Sequence, residues 1–153
     1  MKQHSRKPVL VILLASGLVS GATVVAMGAL TEHRGARPTL AQLETAVAHE
    51  NASVDVWLAY ADRLQEAGQY AHAADAYQKA LEKNSLNRAA RLGLGVALAR
   101  AGNAAGLYAW VQKLMYSDPG LTCELLDRPE CAPFLTEDRF VQLRQEAKLQ
   151  TMD

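Results

Sequence analysis

Neither sign of charge prevails in this chain. Sixteen Lys and Arg face 16 Asp and Glu, for a formal net charge of zero. A nucleic-acid binder normally carries a basic excess, so the balance argues against that class. Cysteine is nearly absent, and two residues make neither a dense disulfide scaffold nor a four-thiolate zinc site. Proline numbers five and the aromatics 6%, while Ala and Leu dominate, which favours helix over sheet. Catalytic motifs are missing as well: no Gly-x-Ser-x-Gly, no phosphate-cradling glycine loop and no dinucleotide fingerprint. His49-Glu50 opens like His-Glu-x-x-His, but Ser53 stands where the second histidine belongs. Asp62 and Glu66, four apart on one helix, read as a solvated face rather than an acid–base pair. The expectation is a protein without catalytic residues, metal or cofactor.

What is there divides unevenly along the chain. Residues 1–8 carry Lys2, Arg6 and Lys7 and no acid, and an uncharged run follows from Val9 to Thr31. At about 1.5 Å rise per residue this run is long enough to span hydrocarbon. It reads as a transmembrane anchor over 9–31, with 1–8 in the cytoplasm and the rest on the periplasmic side of a bacterial inner membrane. The alternative is a cleaved signal, with processing after Ala26 and a soluble periplasmic product. Gly17 and Gly21 stand four apart, a spacing that permits close helix packing and self-association through the span. Residues 32–38 form a short linker.

The remainder repeats itself. One constant offset, the one that carries Val54 to Arg88, places Leu64 on Leu98, Ala67-Gly68 on Ala101-Gly102 and Gln78-Lys79 on Gln112-Lys113. Each copy reads as a helix, a glycine that closes it in the left-handed region, and a second helix. Residues 54–87 carry Trp57, Tyr60, Ala61, Leu64, Gly68, Tyr70, Ala73, Tyr77, Ala80 and Leu81. Residues 88–121 carry Leu94, Gly95, Leu98, Gly102 and Pro119, with Arg91 where the first copy has Trp57; the first copy has Ser85 where the second has Pro119.

On those positions the two segments resemble tetratricopeptide (TPR) repeats. The resemblance implies an all-α solenoid of helical hairpins over 39–121, acting through protein binding. Small residues such as Ala61, Ala73, Ala80 and Gly95 would let helices approach, and Trp57, Tyr60, Leu64 and Tyr77 would fill the spaces between. Thr39 and Gln42 form a capping-box pattern, so residues 39–53 read as a preceding half-repeat. Beyond 121 the next repeat would open at Thr122 but is broken by Pro129 and Pro133. The segment 122–153 therefore reads as a C-terminal cap ending in a helix over 137–149, with Phe140, Val141, Leu143 and Ala147 inward. Gly93 and Gly95 lie inside a helix and read as packing positions. Cys123 and Cys131, eight apart, are candidates for a structural disulfide outside the cytoplasm or for two buried thiols.

In the TPR family the first helices of successive repeats line a ligand groove. The corresponding positions are Asp55, Leu58, Asp62, Gln65 and Glu66, then Leu92, Val96, Ala99 and Arg100. One half is acidic and the other apolar, which suits an amphipathic helix with a basic edge. The last helix could instead fold back over the apolar half. Together these features predict a membrane-anchored adaptor or assembly factor. Two alternatives stand beside it. One is a structural accessory subunit of a membrane complex. The other rests on similarity of residues 39–81 to the TPR region of c-type cytochrome maturation subunits.

Overall fold

The computed structural model describes residues 37–49 and 51–152. The expected anchor over 9–31, its Gly17 and Gly21, and the basic segment before it lie outside the described residues. Among those described, no helix is long and apolar enough to cross a membrane. The described chain is all helical: α1 (Leu40–Val47), α2 (Val54–Glu66), α3 (Tyr70–Lys83), α4 (Arg88–Arg100), α5 (Ala104–Ser117), α6 (Pro119–Leu126), a 3-10 helix (Pro129–Thr136) and α7 (Asp138–Gln150).

The bounds of α2 and α3, moved by the offset of the sequence repeat, are those of α4 and α5. Local chemistry sets them. Ser53 caps α2 through its hydroxyl, which accepts from the Val56 N–H, and Asn87 caps α4 by accepting from Ala90. Gly68 and Gly102 adopt φ of +74° and +68° after the first helix of each pair. At both corners two backbone bonds close the helix end: Gln69 N–H donates to the Leu64 carbonyl and Gly68 N–H to Gln65, then Asn103 to Leu98 and Gly102 to Ala99. This is the paired bonding that a left-handed residue after a helix permits. At the start of the array, Thr39 and Gln42 make both bonds of the capping box.

Helices adjacent in the chain pack side by side from α1 through α7. Ala61, Ala73, Ala80, Ala90 and Ala97 are fully buried where they meet, and Leu64, Tyr77, Leu94, Leu107, Val111 and Leu114 fill the space between. Gly95 admits Leu125: a methyl group at that position would collide with the leucine's side chain.

The C-terminal segment departs from the expected layout. A helix opens at Pro119 rather than Thr122, because Asp118 accepts from the Leu121 N–H and Pro119 occupies the first turn, where a proline N–H is not needed. Pro129 and Pro133 do break the α-helix, but the chain continues as a 3-10 helix rather than a loop. The final helix lies where it is expected, within one residue. Phe140 and Ala147 are fully buried and Leu143 nearly so. The Phe140 ring sits 5.6 Å from Tyr108 and 5.7 Å from Phe134, edge-on to the first and tilted to the second.

Candidate functional site

The expected groove residues fall into two halves with different fates. On α2, Asp55, Asp62 and Glu66 are exposed, and Leu58 and Gln65 are half-buried. Asp62 and Gln65 share one partner. The Tyr77 hydroxyl, rising from α3, donates to Asp62 Oδ1 at 2.5 Å and accepts from Gln65 Nε2 at 2.6 Å. The Tyr77 side chain is buried, which pushes its phenol well above the ordinary range, and the hydrogen bond to Asp62 pushes it further. The phenol therefore remains a donor to Asp62 at physiological pH. Glu66 Oε2 takes the Arg63 guanidinium at 2.6 Å, and Arg63 Nε reaches the Pro38 carbonyl at 3.1 Å, tying α2 to the start of α1. Among the described residues Asp55 has no such attachment, and it stands in the first turn of α2, where a carboxylate suits the helix dipole.

On α4 the apolar half is covered. Val96 and Ala99 are buried and Leu92 is half-buried. The cover is supplied by the 3-10 helix and α6, which pack on α4. The final helix, the cover considered from the sequence, packs instead on α5, α6 and the 3-10 helix. Arg100 belongs to the same closure: its Nη2 donates to Glu130 Oε1 at 2.8 Å, and its guanidinium lies 5.7 Å from the centre of the Tyr70 ring. The Glu130 carboxyl is held below its ordinary range by its own backbone N–H and by Arg100. Arg100 is thus a fastener between α4 and the 3-10 helix rather than an open cation. Glu130 escaped the sequence reading; the signal was a lone acid beside Pro129 in a segment that cannot form an α-helix.

Of the two alternatives read for Cys123 and Cys131, the structure has free thiols, Cys123 half-buried and Cys131 buried. Cys123 lies among Asp127, Arg144 and Lys148, on the side of α6 toward α7, whereas Cys131 is fully buried near Glu130 and Arg128. Burial pushes both thiols up, Cys131 to about 11. Both are poor nucleophiles near neutrality, because the thiolate is the reactive form. No family model, curated protein or solved structure matches the chain.

Proposed function

We propose that this chain is a membrane-anchored TPR protein that serves as a protein–protein interaction adaptor or assembly factor at the periplasmic face of a bacterial inner membrane. The observation that carries the reading is the recurrence of helix bounds at one fixed offset, from α2 and α3 to α4 and α5, with the same glycine-closed corner each time. Stacked hairpins of this kind are scaffolds for recognition, and the anchor read from residues 9–31 would concentrate the module at one surface. The recognition surface is the solvent-exposed acidic half on α2, and the partner is a segment with a basic edge.

The test is a crosslinked pull-down from native membranes with the full chain tagged after Asp153. A small, near-stoichiometric set of envelope proteins is expected. It should fall several-fold when the exposed Asp55 and Glu66 are both changed to Lys, since like charge now faces the basic edge. Recovery of the bait alone, or of the same set with the charge-reversed variant, would overturn the proposal.

A further inference from the structure

A cleft of about 570 Å³ opens between α3 and α5, on residues distinct from the groove. Its floor is Arg91 and Leu94 of α4, and its walls include Leu86, Trp110 and Leu114. The preceding repeat has a counterpart of about 410 Å³, between α1 and α3. There Glu44, Trp57, Tyr60, Ala76 and Lys79 stand one repeat before Gln78, Arg91, Leu94, Trp110 and Lys113 of the larger cleft. One architectural position is therefore met twice, with different contents.

The difference lies on the floor. In the first repeat Trp57 contributes an indole there, 6.2 Å from the Tyr60 ring. In the second, Arg91 takes that place and its guanidinium turns to Ser117 Oγ at 2.5 Å and Asp118 at 3.5 Å. The second floor thus has no aromatic ring of its own. Trp110 enters from the wall instead, held by its Nε1–H donating to the Arg91 carbonyl at 3.1 Å. Leu86 stands at the cleft 75% exposed. Lys113 reaches over Trp110, 5.8 Å from the ring centre, and makes no ion pair among the described residues. The facing acid, Glu82, is already taken by Lys79 at 2.9 Å.

We propose that this cleft receives an aromatic side chain of a partner protein, with a carboxylate beside it in the partner's sequence. The ring supplies what the second floor lacks and packs against Trp110, Leu94 and Leu114; the carboxylate meets Lys113 at the rim. Cleft size and apolar lining match an anchor pocket, and the unpaired cation sets the sign of the neighbouring charge. The inference rests on the proposed function in taking a protein as the occupant, and its test in taking the chain as membrane-anchored.

The experiment uses the full chain in nanodiscs with Trp57→Phe, which leaves Trp110 as the single indole. Three capped decapeptides are titrated, identical except for a central Phe-Glu, Phe-Lys or Ala-Glu pair. Phe-Glu is expected to shift the Trp110 emission saturably, with Kd roughly fivefold below Phe-Lys and at least about tenfold below Ala-Glu. Lys113→Glu should reverse the preference between Glu and Lys. Arg91→Phe, which adds a ring but no second indole, should fill the floor and abolish binding while helical circular dichroism is retained. Absence of binding, equal binding of all three peptides, or unchanged binding by Arg91→Phe would overturn the proposal. If Arg91→Phe loses helicity, the exposed Lys113→Glu change decides alone. Peptide binding without partners in the pull-down leaves this site standing and the adaptor reading fallen; partners without peptide binding do the converse.

Discussion

Gly93 and Tyr77 approach so closely that a methyl group on the glycine would overlap the ring. The contact joins α3 to α4, and so one repeat to the next. Gly93→Ala should therefore destabilise: overpacking costs roughly 1–3 kcal/mol and the gain in helix propensity returns about 1. A net loss of about 1 kcal/mol, read as a fall of a few degrees in Tm, is expected; a rise in Tm would show that the ring moves aside freely. Cys131 makes a second prediction at this scale. Its thiol titrates near 9.0 when unfolded and at about 11 in the fold, because burial disfavours the thiolate and Glu130 adds to the effect. A folded-state value raised in this way contributes stability that is complete below pH 9 and is lost as pH climbs toward 11. The Tm difference between the parent and Cys131→Ala should shrink across that interval. A difference that holds constant would show that the thiol is not what titrates.

At the scale of elements, the corners are the most local features and the easiest to read. Gly68 and Gly102 each follow a helix whose apolar positions stop, and both take the backbone conformation that spacing predicts. Gly102→Ala should cost about 1 kcal/mol, since a Cβ in the left-handed region is strained and no neighbour within 4 Å would otherwise object. Urea denaturation measures this, and an unchanged midpoint would mean that the corner relaxes to another conformation. Helix α6 starts ahead of its expected opening because that start depends on Asp118, which serves both as the end of α5 and as the cap of α6. Periodicity locates helices by their buried faces. It does not show when one side chain closes one element and opens the next. The 3-10 helix is similar: its prolines declare a break, but its role against α4 depends on Glu130 meeting Arg100 from far along the chain.

Taken together, the described residues form an array with unlike ends. At one end α1 covers α2 with Leu43 as its buried side chain, a half-repeat readable from the Thr39 capping box. At the other, α6, the 3-10 helix and α7 close the stack with Phe140, Leu125 and Cys131 in full burial. The all-helical class and the two hairpins were legible because the chain states the same pattern twice at one spacing. The fate of the groove was not, because the sequence names the residues facing it without naming what lies on top of them. Asp62 shows what this arrangement entails. In the adaptor reading proposed above, its carboxylate would be at once the acid offered to a partner and the acceptor of the phenol whose ring holds α3 against Gly93. A cation that claims Asp62 must compete with that phenol. On that reading, recognition on α2 and stiffness of the joint between repeats draw on one oxygen, and filling the groove would loosen the joint.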